Sequence, residues 1–193
     1  MMGIPDWLTT TLAADAVGGT GVPEIAIQPL RAGQRLAGRV TTVRLAEGDN
    51  LGLHEVRQVG PIQGSVLLVH GSPTSRRAVM GDIVATALQH AGFTGVITDG
   101  LVRDSNDIAG LDFPVWARGT TPLAANREGP FGIGEALQFG GVQVQPGDYL
   151  IADDDGIVIW PAALLSQLVR TAEARRQSDL EKLRKARSGL ALS

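Results

Sequence analysis

Two short stretches of the sequence could hold an anionic substrate and a metal ion side by side. Gly81-Asp82-Ile83-Val84 opens a predicted helix, and Arg103-Asp104 follows a predicted buried strand and a turn. The first N–H groups of a helix lack partners within it and carry partial positive charge, so a carboxylate or phosphate can dock there. The arginine and aspartate lie beyond the carboxyl end of a strand, where α/β proteins tend to place their sites. With so few protein ligands, the cation would be of the Mg²⁺ type and would keep several waters.

Both stretches also have ordinary structural interpretations. Asp82 could cap the helix, which is the more common role of an isolated Gly-Asp pair before a helix. Arg103 and Asp104 could form a surface ion pair of little energetic weight. Residue types and spacing alone leave these alternatives open.

The census of reactive side chains narrows the chemistry. The 193 residues include no cysteine, which excludes thiol nucleophiles and Cys-ligated zinc or iron–sulfur sites. The two lysines, Lys182 and Lys185, lie near the C-terminus, whereas Schiff-base chemistry needs a lysine in a desolvated pocket. The three histidines show no HxH or HExxH spacing, which favours oxygen over imidazole as a metal ligand. A formal net charge of −3 gives no general case for nucleic-acid binding.

The elements that must position these residues follow from apolar periodicity. Continuous apolar runs at 65–69 and 95–98 predict strands buried on both faces, and the pattern at 82–91 predicts the helix between them. This order predicts α/β layering with a right-handed crossover. The other predicted elements are strands at 36–45, 114–118, 142–145, 149–152 and 157–160, helices at 6–17, 51–58 and 162–187, and a glycine-rich loop at 126–141.

Two further features invite a functional interpretation and have simpler ones. The last helix carries seven basic and three acidic residues between 170 and 187, which favours a solvated or subunit-facing surface over an RNA-binding arm, because no aromatic residue is interleaved for base stacking. Asp153-Asp154-Asp155-Gly156 lacks the spacing of a calcium-binding loop and predicts a polar hairpin turn.

Neither a membrane span nor an export signal is predicted. The longest clean apolar run is Val66-Leu67-Leu68-Val69, far short of the roughly 20 residues that span a bilayer. The N-terminal stretch lacks a basic region and carries Asp6. We therefore expect a soluble cytoplasmic protein.

Asp82, twenty intervening residues and Arg103-Asp104 form a D-x20-R-D pattern. The other recognisable stretches cover nearly the whole chain: LAGRVTTV (36–43), GDN (48–50), GSVLLVHG (64–71), GDIVATALQHAGFTGVITDGLVRD (81–104), FPVWARGTTP (113–122) and FGGVQVQPGDYLIADDDGIVIWP (139–161). With this pattern and these stretches the chain resembles the RraA-like family, which includes metal-dependent 4-hydroxy-4-methyl-2-oxoglutarate aldolases and the regulator of ribonuclease E activity A.

The resemblance implies a fold, an assembly and residue roles. It implies a single α/β domain of the swivelling β/β/α type over residues 1–193, with the long C-terminal helix at 162–187 at a subunit interface. It also implies a homotrimer or hexamer with the site between subunits. Asp104 would anchor Mg²⁺ or Mn²⁺, and Arg103 would contact the pyruvyl oxygen and steady an enolate. The backbone at the helix start would hold the substrate carboxylate, with Asp82 also holding water or orienting the site; the residues concerned are Gly81, Asp82, Ile83 and Val84.

The implied activity agrees with the lysine census. Cleaving a carbon–carbon bond beside a 2-oxo group produces an enolate, whose charge either a lysine iminium or a metal ion can absorb. Because the lysines lie near the C-terminus, we expect a metal-dependent lyase that releases pyruvate from 4-hydroxy-4-methyl-2-oxoglutarate. Oxaloacetate decarboxylation would pass through the same enolate, and a metal-bound water could act as base. The alternatives are a non-catalytic regulator that binds a ribonuclease, and a non-catalytic binder of 2-oxo acids.

Four arginines are candidates for recognising a second substrate carboxylate. Arg76 and Arg77 follow the predicted strand at 65–69, and Arg118 and Arg127 flank the loop after the strand at 114–118. Each has a solvated or subunit-contact alternative. Trp116 is predicted to lie in the core.

Overall fold

The computed structural model describes residues 3–62 and 64–189. Within these residues the α-helices are α1 (Thr10–Ala16), α2 (Leu51–Val59), α3 (Asp82–His90), α4 (Ser105–Gly110) and α5 (Leu165–Arg187), with a 3₁₀ turn at Ala162–Leu164. The strands are β1 (Gln28–Pro29), β2 (Leu36–Leu45), β3 (Val66–His70), β4 (Ala78–Met80), β5 (Gly95–Thr98), β6 (Leu101–Val102), β7 (Val115–Ala117), β8 (Gly119–Thr120), β9 (Phe131–Ile133), β10 (Leu137–Phe139), β11 (Val142–Val144), β12 (Tyr149–Asp153) and β13 (Gly156–Trp160).

A mixed sheet in the order β1-β7-β5-β3-β2-β12-β13 forms the centre of the fold. Strands β2, β3, β5 and β7 run parallel, as expected for strands connected by helical crossovers. The ten-residue β2 curls, because its first half pairs with β12 and its last three residues pair with β9. The predicted α/β class with a long C-terminal helix is confirmed.

The central strands are buried on both faces, as their unbroken apolar sequence predicts. One face packs against α2 and α3, with Leu67 and Val96 at its centre. The opposite face contains Leu68, Ile97 and Trp116, and Trp116 is fully buried, which confirms its predicted core position. A third apolar cluster joins α1 and α5 to the outer strands β12 and β13.

A second, small parallel sheet of β4, β6 and β8 carries the candidate site. Leu101 of β6 lies between Ala78 of β4 and Gly119 of β8. These strands are two or three residues long. Sequence periodicity did not predict them, because runs this short show no alternation.

Two predictions needed correction. The helix predicted at 6–17 begins only at Thr10, because Thr9 adopts an extended conformation and its side chain accepts a hydrogen bond from the Leu12 amide at 3.3 Å. The loop predicted at 126–141 contains β9 and β10. Strand β9 forms there because the end of β2 offers it a free edge, a long-range partner that local sequence does not reveal.

The polar hairpin predicted at Asp153–Gly156 is confirmed by the pairing of β12 with β13. The carboxylate of Asp153 accepts hydrogen bonds from the amide and hydroxyl of Thr10, and Asp154 accepts one from the Gly33 amide at 2.9 Å. These aspartates therefore have structural partners.

Helix α5 packs against α1 over its first half and leaves the body afterwards. Arg175 pairs with Asp15 at 3.3 Å, and the guanidinium of Arg176 lies 5.0 Å from the centre of the Trp7 ring. Beyond these contacts, Leu180 and Leu183 are exposed. In the described part of the chain, each helix is too short or too polar to cross a membrane.

Candidate functional site

The amino terminus of α3 forms one wall of the site. Gly81 caps the helix, and its first hydrogen bond runs from the Ala85 amide to the Gly81 carbonyl at 3.0 Å. The amides of residues 82–84 therefore precede the first bonded amide and can serve an anion. The capping role considered for Asp82 is not observed, because Asp82 occupies the first helical turn. Its neighbour Ile83 is 74% exposed at the rim.

Arg103 and Asp104 lie directly over this helix terminus. The Arg103 amide donates to the Met80 carbonyl at 3.0 Å, which ties the end of β6 to the residue before Gly81. A Cβ added to Gly81 would collide with Oδ2 of Asp104 and would lie 3.1 Å from Nε of Arg103. Glycine at 81 therefore permits the close approach on which the site depends.

The two side chains contact each other while remaining open to solvent. Nε of Arg103 lies 3.3 Å from Oδ2 of Asp104, and the side chains are 41% and 37% exposed. Asp104 has a left-handed backbone conformation, with φ 54° and ψ 40°. A non-glycine residue in this region stores conformational energy, and such residues cluster at functional sites. The pair is thus accessible and lies beside the amides of 82–84, as a substrate site requires.

A small cavity of about 90 Å³ opens between α3, α2 and the segment after β8. Its walls include the predicted residues Gly81 to Val84 and Arg103. The predicted metal ligand Asp104 does not line it and lies on a second cavity instead. Three further polar side chains line it: Asn50, His54 and Arg127. Of these, sequence reasoning considered Arg127 and missed the other two.

Asn50 and His54 present unpaired polar atoms. Oδ1 of Asn50 and Nε2 of His54 are buried and lack a hydrogen-bond partner within the described residues. Buried polar atoms are almost always bonded, so two orphans on one cavity indicate a ligand or water there. The sequence did offer a signal. Asn50 follows the turn at Gly48-Asp49, and His54 comes four residues later, so both lie on one face at the start of the same helix.

Asp49 fixes the wall that carries these side chains. Its Oδ1 accepts from the Leu51 amide at 2.8 Å and its Oδ2 from the Glu128 amide at 2.6 Å, so it joins α2 to the segment containing Arg127. Burial alone would raise the pKa of Asp49, but hydrogen bonds from the amides of Glu128, Leu51 and Gly129 bring it below its ordinary value.

A second cavity of about 440 Å³ lies on the outer side of Arg103 and Asp104. Apart from Arg103 and Pro122, its lining offers oxygen donors: the carboxylates of Asp104 and Asp107, with the hydroxyl and amide groups of Ser105, Asn106, Thr120 and Thr121. The described residues contain no cluster of three or more His, Cys, Asp or Glu suited to a metal. A hard cation that keeps most of its waters would fit this donor set, and Asp104 is the carboxylate that lies against Gly81 at the start of α3.

Two of the other candidate arginines, Arg77 and Arg118, have structural partners. Arg118 donates to the backbone carbonyls of Asp99 and Ser75, at 3.1 and 2.8 Å, and so ties β5 to the loop after β3. Arg77 donates to the Ala124 carbonyl at 2.7 Å. Arg76 is exposed and lines neither cavity. Arg127 is thus the one of the four that lines the small cavity.

A pair formed by the partly exposed His70 and the buried Asp99 supports the segment that leads to Arg103. His70 and Asp99 bond to each other at the carboxyl ends of β3 and β5, and Asp99 also accepts from the Gly71 amide at 2.6 Å. This hydrogen bond raises the pKa of His70 above its ordinary value. The ends of the two strands are thereby held together just before the small sheet begins.

Comparison with known proteins gives consistent matches. A 38% identical protein from Halorhodospira halophila matches over 159 residues, 79% of this chain and 94% of its own length. A 31% identical protein from Halalkalibacterium halodurans matches over 173 residues, 89% of this chain and 81% of its own length. Both carry the provisional name 4-hydroxy-4-methyl-2-oxoglutarate aldolase.

The solved structures include the RNA-processing inhibitor RraA from Thermus thermophilis. It superposes with a TM-score of 0.69 at 31% sequence identity, covering 80% of this chain and 93% of that one. The sequence model of the RraA-like family, described as Aldolase/RraA, matches residues 10–159. The chain therefore belongs to the RraA-like family.

Proposed function

We propose that this protein is a divalent-metal-dependent lyase that cleaves 4-hydroxy-4-methyl-2-oxoglutarate and related 2-oxo acids to release pyruvate. The observation that carries the proposal is the placement of Arg103 and Asp104 over Gly81, beside the free amides of α3. The names of the relatives support a lyase of this type.

The substrate's 2-oxo acid end fits the amino terminus of α3. The amides of 82–84 would hold its carboxylate, and the Arg103 guanidinium would lie beside the 2-oxo oxygen, where negative charge develops on cleavage. One such preorganised donor typically lowers the activation barrier by about 3–4 kcal/mol. Asp82, in the first helical turn, would orient water at the same end of the cavity.

Asp104 would hold the Mg²⁺ or Mn²⁺ ion. When bound, the metal supplies Lewis-acid stabilisation of the developing enolate. The contributions of this chain would be to orient the substrate and to pair its charge.

A dicarboxylate suits the far wall of the cavity. Arg127 lines it opposite α3, and its guanidinium could pair with a second carboxylate. Oxaloacetate is also a dicarboxylate, and loss of CO₂ leaves the same enolate, so decarboxylation belongs to the proposal.

The exposed rim suggests how the site is completed. Ile83 is 74% and Leu123 45% exposed, more than is usual for large apolar side chains. A homotrimer or hexamer in which a neighbouring copy covers this rim is part of the proposal. Sedimentation equilibrium tests the assembly. We expect the mass of a trimer or hexamer, and the mass of a monomer would contradict this part of the proposal.

Pyruvate release coupled to lactate dehydrogenase tests the activity. Purified protein is given 4-hydroxy-4-methyl-2-oxoglutarate or oxaloacetate, with Mg²⁺, with Mn²⁺, or with EDTA. We expect turnover that the chelator abolishes and either metal restores. Lack of metal-dependent turnover on both substrates would overturn the proposal.

A regulatory function is the second candidate, because the Thermus relative is an RNA-processing inhibitor and the end of α5 is exposed and basic. Its expected signature is a stable complex with a ribonuclease or RNA helicase and inhibition of that partner. Failure to form such a complex at micromolar concentration would remove this candidate.

A further inference from the structure

His54 lines the small cavity and carries an unpaired ring nitrogen. Its Nε2 is buried and has no partner in the described part of the chain, and the same cavity is lined by Arg103 and the amino terminus of α3. Neither the fold nor the substrate contacts described above use this atom. An unpaired imidazole nitrogen on a residue that lines a candidate substrate cavity is a candidate for proton transfer.

The surroundings of His54 favour its neutral form. Burial is the largest influence and lowers its pKa from the ordinary value of 6.5. The positive charges of Arg127 and Arg57 lower the pKa further, while Glu55 and Asp49 oppose this by raising it. A neutral imidazole can offer the Nε2 lone pair to a proton.

The small cavity has His54 and Arg103 among its walls, together with the amino terminus of α3. Its volume of about 90 Å³ is that of roughly three water molecules, so it would hold only part of the substrate. With the substrate carboxylate at the amides of 82–84 and the 2-oxo oxygen near Arg103, the chain of the substrate would run from α3 toward α2. In that orientation its C4 hydroxyl would point to the wall formed by Asn50 and His54.

We propose that His54 is the general base that removes the proton from the C4 hydroxyl of the substrate, an inference that rests on the proposed lyase function. Nε2 takes the proton, and the electron pair of the O–H bond forms the new C4 carbonyl. The C3–C4 bond breaks, and its electron pair forms the enolate, whose oxygen carries the charge beside Arg103. The protonated His54 then returns its proton to C3 of the enolate, which gives pyruvate and restores the base.

Decarboxylation separates this role from mere positioning. Oxaloacetate carries no hydroxyl proton that must be removed, and loss of CO₂ produces the enolate directly. A base for the hydroxyl is therefore required for aldol cleavage and dispensable for decarboxylation. A residue that only shapes the cavity would affect both reactions.

His54→Gln tests the role, with His90→Gln as the matched control on the exposed last turn of α3. We expect His54→Gln to lower kcat for cleavage about 10²–10⁴-fold, the usual contribution of a general base, and to decarboxylate oxaloacetate close to the wild-type rate. The His90 variant should match wild type in both reactions. An equal loss in both reactions by His54→Gln, or unimpaired cleavage, would overturn the proposal and leave a metal-bound water as base.

The pH profile of cleavage gives a second test. In wild type, kcat/KM should be constant above the lowered pKa of His54 and fall as the pH decreases through it, because the imidazolium cannot accept a proton. This limb should be missing in His54→Gln, and its persistence there would contradict the proposal. Failure of the lyase function itself looks different, since wild type would then release no pyruvate.

Discussion

Two cavities that differ in size and in polarity lie on different layers of the fold. The larger cavity, about 660 Å³, is lined by residues from the end of α1 and the start of α5. None of the described residues that line it is ionisable. The smaller, about 90 Å³, contains His54, Asp82, Arg103 and Arg127. We therefore place the proposed chemistry at the smaller cavity, because charged side chains, free amides and unpaired polar atoms converge there and not at the larger one.

The large cavity belongs to the packing of α5. Leu168, which lines it, is buried in the cluster that attaches α1 and α5 to the outer strands. The small cavity lies at the amino terminus of α3, where packing gives way to polar groups. Substitutions should accordingly divide into those that change turnover and those that change stability.

Replacing Arg103 should have a large effect on turnover. Arg103→Lys keeps one positive charge but loses the planar fork that reaches the developing oxyanion, so kcat should fall about 10²–10³-fold. Arg76→Lys, at an exposed position outside both cavities near Arg103, is the matched control. Steady-state pyruvate release measures the turnover of both variants. Similar rates for the two would contradict the assignment of the chemistry to the smaller cavity.

Enlarging the other cavity should have the opposite profile. Leu168→Ala removes a side chain that is 3% exposed and should lower the free energy of unfolding by about 2–5 kcal/mol. Pyruvate release per folded molecule should match wild type. Urea unfolding and the coupled assay measure the two quantities, and a selective loss of activity would show that the large cavity has a catalytic part.

Gly81→Ala should disturb the site with little cost in stability. The new Cβ would collide with the Asp104 carboxylate, whereas the φ of −126° at this position suits alanine. We expect kcat/KM to fall by about 10-fold, equivalent to about 1.4 kcal/mol, through displacement of Arg103 and Asp104. Gly110→Ala meets open space and is the control. Wild-type activity in Gly81→Ala would show that the close approach is dispensable.

Asp49 should give the smallest effect and a characteristic pH dependence. Because its folded pKa lies below the ordinary 3.8, its stabilisation is present above that value and is lost as the pH falls through the folded pKa. Asp49→Asn keeps one side-chain oxygen that can accept a hydrogen bond and loses the other. It should lower the free energy of unfolding by about 1–2 kcal/mol at pH 7. The difference in unfolding free energy from wild type should shrink toward pH 3. A difference independent of pH would argue against ionised Asp49 as the link between α2 and the Arg127 segment.

The sequence predicts the large sheet better than the small one. Strands such as 36–45 and 95–98 have an apolar pattern long enough to read, and the structure places them at the predicted residues. β4, β6 and β8 are too short for periodicity, yet they bring Gly81 and Arg103 together. Their pairing depends on contacts between residues far apart in the chain.

The candidate site divides in the same way. The motif spacing identified Asp82 and Arg103-Asp104, because a helix start and the end of a buried strand are local features. Asn50 and His54 were missed, since an unpaired buried atom is defined only once the surrounding chain has closed around it. Their roles, like the metal at Asp104, stay predictions until turnover is measured.

Asp104→Ala tests the central claim most directly, with Asp112→Ala as the exposed control. In the presence of saturating Mn²⁺, the rate of pyruvate release from 4-hydroxy-4-methyl-2-oxoglutarate should fall by at least about 10³-fold in Asp104→Ala, because the stabilisation supplied by the metal is lost. The control should turn over as wild type does. A wild-type rate in Asp104→Ala would contradict the assignment of the site.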